Sequence, residues 1–379
     1  MCFFDPIIEK HSPEVVCMSR PPAPPAGIID IDLALQGGGS HGAFTWGVLD
    51  RLLDEPHLRI AAISGTSAGA VNAVALAAGL AADGRVGAQA KLREVWEAVA
   101  DAGGIPGVFG SLTQHSQQLM SSWTEPLKAW SGLVQSWWGP WWGQALSPYQ
   151  FNPLNVNPLR DVLTRHIDFE AVRQCGGMRL FISATHVRSG RLRIFRQDAL
   201  SADVILASAC LPLMFQAVDI EGESYWDGGF AGNPSLLPLI AESPAEDLML
   251  IQINPQMHKS VPTSAKDIVE RMNELSFNAS LLKELRTLGL MQQLIAAEGR
   301  PTSRYKQALI RRVGQLRLHR IDGEGLLNEL GSASKMDTRR SFLTRLHDQG
   351  YLAADRWLHA HAGDLGHRST MNLDTELAE

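Results

Sequence analysis

Two short stretches of this chain carry residue types that could do chemistry together. Residues 65–69 read Gly-Thr-Ser-Ala-Gly, and residues 227–229 read Asp-Gly-Gly. A serine flanked by glycines fits a nucleophile elbow, a sharp turn between a strand and a helix that lifts the hydroxyl above a sheet edge. A side chain at Gly65 or Gly69 would crowd the strained serine backbone or the packing of the next helix. The flanks fit. Leu58–Ser64 is a short apolar run with strand length, and residues 68–80 are small apolar residues without proline, as a helix lying close to a sheet requires. Ser67 is thus the candidate nucleophile, and Ser64 and Thr66 are its hydrogen-bonding neighbours. Asp-Gly-Gly alone would make a good turn. Beside the elbow it offers Asp227 as a base.

A third stretch, Gly37-Gly38-Gly39-Ser40-His41-Gly42, follows Asp30–Leu35, where Ile31, Leu33 and Leu35 alternate as in a strand. It precedes a helical pattern with Phe44, Val48 and Leu52 at four-residue spacing. A glycine run at a helix start exposes consecutive N–H groups, and the helix dipole makes the spot attractive to an anion. In acyl transfer that anion is the oxyanion of the tetrahedral intermediate. The same residues satisfy a dinucleotide fingerprint. That reading needs an acidic residue at the end of the second strand, and here the second strand runs straight into the serine elbow.

The order GGGSHG, GTSAG, DGG resembles the patatin-like phospholipase family. Residues 207–212 (ASACLP), Phe215 and residues 225–233 (YWDGGFAGN) add to the resemblance, which covers about residues 28–235. It implies a three-layer α/β/α fold with a mostly parallel central sheet and a Ser67–Asp227 dyad rather than a triad. It also implies an oxyanion hole from Gly37, Gly38 and Gly39 helped by Ala68, with Gly42, Gly65, Gly69, Gly228 and Gly229 as motif glycines. His41 stands where many relatives carry a basic residue, and it is not assigned as the base. No cofactor or metal is implied. The expected reaction is hydrolysis of lipid carboxylic esters, of phospholipase A or lysophospholipase type. A broader carboxylesterase, a storage-lipid or polyester hydrolase, and a non-catalytic lipid-binding scaffold are the alternatives. An aspartate base has an ordinary pKa of about 3.9. Burial must therefore raise it, and Asp227 is expected to be buried beside Trp226 and Phe230.

The supporting elements follow from pattern. Residues 178–183 and 191–195 read as strands joined through Ser189-Gly190, and the apolar run 247–253 reads as a central parallel strand. Asn157-Pro158 is a helix start. Strands alternating with helices argue for a layered α/β sheet. Beyond residue 260 the pattern is mostly helical, notably 268–295 and 336–361. The expected organisation is a flexible leader over 1–26 that ends in a proline-rich run, a hydrolase domain over 27–260, and a helical C-terminal extension over 261–379.

Within the hydrolase domain, about residues 110–156 form a Trp-rich insert. Six of the ten tryptophans lie between 123 and 142. Tryptophan favours the membrane interface, so Trp137, Trp138, Trp141 and Trp142 are candidates for a lid or lipid-facing patch. A helix packed on the core and a self-association surface are equally open. The basic cluster Arg304, Lys306, Arg311, Arg312, Arg317, His319 and Arg320 could meet lipid phosphates, but reads first as a solvated helix face.

Composition narrows the rest. A net charge of −6 gives no bulk attraction to nucleic acid or anionic membrane. The histidines, among them His11, His57, His115, His166 and His186, show no metal-ligand spacing. Cys2, Cys17, Cys175 and Cys210 form no CxxC pair and fit free thiols in a reducing compartment. The first twenty residues lack the apolar stretch of a signal peptide. Residues 60–82 are long and uncharged enough to suggest a membrane span, but they contain the elbow. The expected setting is cytoplasmic and peripheral to membranes or lipid granules. The expected partner is a lipid surface, with an activator protein or a second copy of the chain as further candidates.

Overall fold

The computed structural model describes residues 27–103, 147–255, 261–323 and 325–373. The leader, the tryptophans of 123–142 and most of the expected insert lie outside the described residues.

The alternation seen in Ile31, Leu33 and Leu35 becomes β1 (Ile29–Leu35). The glycine loop follows, and then α1 (Gly42–Leu53), with Phe44, Val48 and Leu52 all buried. The apolar run before the elbow is β2 (Leu58–Gly65), and the small-residue stretch starts α2 (Ala68–Asp101), which kinks at Asp83 and Gly84. Asn157 caps α3 (Pro158–His166) by accepting from the Leu159 N–H. The hairpin around Gly190 joins β3 (Arg179–His186) to β4 (Leu192–Arg196). Next come α4 (Ala202–Ser208), β5 (Val218–Ile220), β6 (Glu223–Asp227) and the fully buried β7 (Asp247–Gln252). The last elements are α5 (Ala265–Ala297), α6 (Ala308–Gln315), β8 (Arg317–Asp322) and α7 (Arg340–His361).

One eight-stranded sheet runs in the order β5-β6-β3-β2-β1-β7-β8, with β4 also on β3. The pairs among β3, β2, β1, β7 and β8 along that path are parallel. The period-2 geometry of strands sorts their side chains to two faces. Ile31, Leu33, Leu35, Ile63, Met249 and Ile251 join the core under α1, α2 and α7. Ala34, Ala62, Phe181, Leu248 and Leu250 join the core under α5 and α6. The fold is therefore a three-layer α/β/α arrangement with a mainly helical C-terminal region.

That region departs from expectation at one place. Residues 317–322 are an edge strand of the main sheet, not part of a solvated helix face. Their charges are paired. Arg317 forms ion pairs with Asp247 at 2.7 Å and Glu246 at 3.0 Å. His319 is buried and lies 3.0 Å from the other Asp247 oxygen. Arg311 and Arg312 also turn inward, onto the carbonyls of Tyr305, Ile240 and Ser243. Asp30 and Asp32 both lie within β1. Asp30 pairs with Arg59 at 2.6 Å, and Asp32 is buried against Ser243.

Asp247 gives a stability prediction. Burial pushes its carboxyl up, but His319, Arg317 and the Gly366 N–H outweigh burial and hold it down at about 2. A folded-state pKa below the unfolded one stabilises above the unfolded value and is lost as pH falls toward the folded one. Asp247→Asn should cost about 2 kcal/mol at pH 7. It should also flatten the loss of stability between pH 4 and pH 2. Urea melts across that range check both.

Candidate active site

Three parallel strands end at one place. β1 delivers Gln36 and the glycine loop, β2 delivers the elbow, and β7 delivers Ile253 and Asn254. Ligand sites of open α/β sheets form at such carboxyl ends.

Ser67 has φ 54° and ψ −119°, a left-handed conformation that a serine holds only when its surroundings impose it. The surroundings do so. Thr66 donates its N–H to Leu35 and its hydroxyl to the Gly232 carbonyl at 2.7 Å, and Ser64 donates its hydroxyl to the Ser235 carbonyl at 2.6 Å. The Ser67 N–H itself goes to Ser208 Oγ at 2.9 Å. Gly69 lets α2 sit on β1, since a Cβ there would run into the Leu35 carbonyl.

Asp227 arrives by a separate route along the same strand. On β3, Ile182 pairs with Gly65 on one side and Phe195 on the other. Two residues on, Ala184 pairs with Asp227 on one side and Arg193 on the other. β2 and β6 thus occupy the same edge of β3, one continuing where the other stops. Ser67 and Asp227 meet over that junction. Asp227 is 0% exposed. Its Oδ1 accepts the Gly229 N–H at 2.7 Å. Burial pushes its pKa up to about 7, against the pull of the Gly229 N–H and the Ser67 hydroxyl. Its Oδ2 has no formed hydrogen bond among the described residues. The Ser67 hydroxyl is near enough to the carboxyl to lower its pKa without making a full hydrogen bond to Oδ2. The expected burial of Asp227 is observed. Phe230, by contrast, is 40% exposed and packs against Phe277 with the two rings tilted.

The glycine loop divides into two parts. The Gly37 N–H is donated to Asn233 Oδ1 at 2.7 Å, and the Gly37 carbonyl accepts Asn254 Nδ2 at 2.6 Å. Gly37 is thus an anchor rather than an oxyanion donor, which corrects the sequence assignment. For Gly38 and Gly39, no acceptor of their N–H groups is found among the described residues. Both line the same cavity as Ser67 and Ala68. Ala68 is the first residue of α2, so its N–H lacks an intrahelical partner. Gln36 fixes the loop from below, its Oε1 accepting the N–H groups of Ile253 and Asn254 at 2.9 and 2.8 Å. Gly42 and Gly65 are close-approach positions too, against Ala68 and Gly69, as is Gly228 against the Ser183 carbonyl.

The cavity has a volume of about 680 Å³. Val71, Trp96, Leu211, Met214, Phe215 and Phe277 give it a mainly apolar wall that reaches from Ser67. Such a wall suits an acyl chain. Among the described residues no His, Cys, Asp and Glu group could hold a metal, and no helix is long and apolar enough to cross a membrane.

A family model described as patatin-like phospholipase matches residues 33–240, more than half of the chain. The chain belongs to the patatin-like phospholipase family. As a patatin-like phospholipase it is a lipid acyl hydrolase. VipD from Legionella pneumophila is a solved structure it resembles, at 14% identity and a TM-score of 0.35, over 87% of this chain and 67% of that one. No curated protein matches it.

Sequence reading missed Gln36, Asn233, Asn254 and Ser208, the side chains that hold the patatin-like motifs in register. Asn233 and Ser208 stand in the quoted YWDGGFAGN and ASACLP stretches, so their signal was present without its reason. His41 is fully buried, with Nε2 2.7 Å from Ser334 Oγ. Burial and the nearby Lys335 push its pKa down to about 3, so it carries no charge at neutral pH.

Proposed function

We propose that the chain cleaves carboxylic esters of phospholipids or lysophospholipids through Ser67 and Asp227. One observation carries the reading. A serine on a strained elbow lies against a fully buried carboxylate, beside N–H groups that open on an apolar cavity.

The chemistry proceeds in two halves. Asp227 takes the Ser67 proton as Oγ attacks the ester carbonyl. Negative charge gathers on the carbonyl oxygen and is met by the N–H groups of Gly38, Gly39 and Ala68. Each such donor is worth ~3 kcal/mol in the transition state. The intermediate collapses, and the leaving alcohol recovers the proton from Asp227. Water then gives a proton to Asp227 as it attacks the acyl-enzyme, and the second intermediate collapses as Asp227 returns that proton to Ser67 Oγ, releasing the acid and restoring the dyad. With a pKa near 7, Asp227 is matched to neutral pH.

Intact mass after a fluorophosphonate probe tests the reading. The wild type should gain one adduct, and Ser67→Ala none. A folded wild type that stays unlabelled with phospholipid vesicles present would defeat it and favour the non-catalytic scaffold. The apolar wall would also accept simpler esters. Comparing phospholipid, lysophospholipid and short neutral esters of one acyl chain separates a phospholipase from a broader carboxylesterase.

A further inference from the structure

The cavity wall around Ser67 has two distinct parts. One is built by α2, which turns back on itself at Asp83 and Gly84. Its two halves lie side by side, with Gly79 against Gly87 near the bend. Farther from the bend, Trp96 on the returning half donates its Nε1–H to Asn72 Oδ1 at 2.8 Å. Asn72 donates in turn to the Gly42 carbonyl at 2.9 Å, at the end of the glycine loop. The Trp96 ring is thereby fixed beside the elbow, since a Cβ on Gly42 would meet both Ala68 Cβ and that ring. Val99, about one turn beyond Trp96, comes level with the first turn of α2. The facing wall is α3, which packs on α2. Val71, Trp96, Val99, Leu159 and Val162 all line the cavity here. None is charged, and the one polar side-chain atom among them, Trp96 Nε1, is already given to Asn72.

The second part comes from α5. Phe277 lies against Gly229, where a Cβ would strike its ring. Gly229 is the residue whose N–H Asp227 accepts. Phe277 and, about one turn earlier, Asn273 therefore mark the Asp227 side of the cavity. Both parts hold apolar surface that could cover an acyl chain, and the path of the proton decides between them. The leaving alcohol takes its proton from Asp227, so its oxygen must come to rest on the Asp227 side. The carbonyl carbon stays on Ser67, and the acyl chain needs room away from that path.

We infer that the acyl chain lies in the slot between the returning half of α2 and α3, that the alcohol half of the substrate lies along Asn273 and Phe277, and that Val99 and Leu159 determine which acyl chains are accepted. The inference rests on the hydrolase reading above and adds the residues that select the acyl chain. An apolar slot gains with each methylene it covers. Its walls are close-packed, so added bulk in the slot takes the place of substrate rather than being absorbed.

The test uses butyryl and decanoyl esters, each of glycerophosphocholine and of methanol. Values of kcat/KM are measured on the full-length wild type, Val99→Trp, Leu159→Trp and Asn273→Trp. Val99→Trp should cut the decanoyl-to-butyryl ratio by about tenfold or more on either alcohol, the effect of excluding roughly two methylenes from an apolar wall. It should leave the ratio between the two alcohols in place. Leu159→Trp fills the same slot from α3 and should act alike, which keeps the test open if a melt shows that Val99→Trp does not fold. Asn273→Trp should move the alcohol ratio and not the acyl ratio. The assignment is overturned if the folded slot variants move the alcohol ratio instead, move both ratios together, or move neither. A wild type that cleaves none of these esters and takes no fluorophosphonate label marks instead the failure of the hydrolase reading, and the assignment falls with it.

Discussion

Asp227→Asn should lose about a thousandfold in kcat, the scale of a missing general base, and at the same time make the protein harder to unfold. The two effects share one cause. Burial raises the carboxyl to about 7 in the folded state, against about 3.9 when unfolded. An acid whose pKa rises on folding loses stability as pH climbs through that interval, and the full penalty is present above pH 7. Asparagine keeps an oxygen for the Gly229 N–H and carries no charge, so it removes the penalty. The gain is at most about 4 kcal/mol at pH 8 and should vanish near pH 4. Thermal melts at both pH values, set beside kinetics, check the pairing. In the wild type, kcat/KM should fall tenfold per pH unit below 7, because protonated Asp227 cannot accept the serine proton. Ser67→Ala combined with Asp227→Asn should be no slower than the slower single variant, since residues acting as a unit are not additive. A variant that lost stability and kept activity would remove Asp227 from the mechanism.

Gly37→Ala is the second large expected effect. A Cβ at 37 would lie 2.7 Å from both Ser67 Cβ and the Thr66 carbonyl, and 3.2 Å from Asn233 Oδ1. All of these are fixed, the first two by the elbow and the third by its own hydrogen bond to the loop. The glycine loop must move, taking Gly38 and Gly39 with it. A shift of that size typically costs about a hundredfold in rate. Overpacking should add a stability loss of ~1–3 kcal/mol. Gly176→Ala is the control, because its Cβ would meet nothing within 4 Å. Steady-state kinetics and melts on the two variants would show whether the loop's position matters. Equal behaviour would mean the loop is more pliant than its packing suggests.

What could be read from the sequence was whatever local geometry demands. An elbow needs its glycines, a strand needs alternation, and a helix start needs a cap. Ser67, the glycine loop and Asp227 announce themselves in this way, as do β1, β2, β7 and α3. Gln36, Asn233 and Asn254 do not, because each acts on a segment that only the fold brings near. The same holds for the chemistry of Asp227, whose raised pKa depends on burial. Residues 317–322 misled for a related reason. Arg317 and His319 look like solvent-facing charges until Asp247, some seventy positions earlier, is placed beside them by the parallel pairing of β7 and β8. Lys335 has no local signature at all. Its contact with Asn254 arises from where the C-terminal turn, Ser332–Met336, comes to rest.

The shared edge of β3 has a consequence for how this chain can change. Ser67 and Asp227 are far apart in sequence, yet each is indexed against the same strand, at Ile182 and at Ala184. The connections between them carry no part of that index. Lengthening the excursion from α2 to β3, or the return from β4 to β6, leaves the two residues facing each other. A slip of β6 by a single residue, in contrast, would turn the carboxylate to the opposite face of the sheet. Evolution can therefore rebuild the surroundings of this pair by insertion while the pair itself stays fixed to one strand.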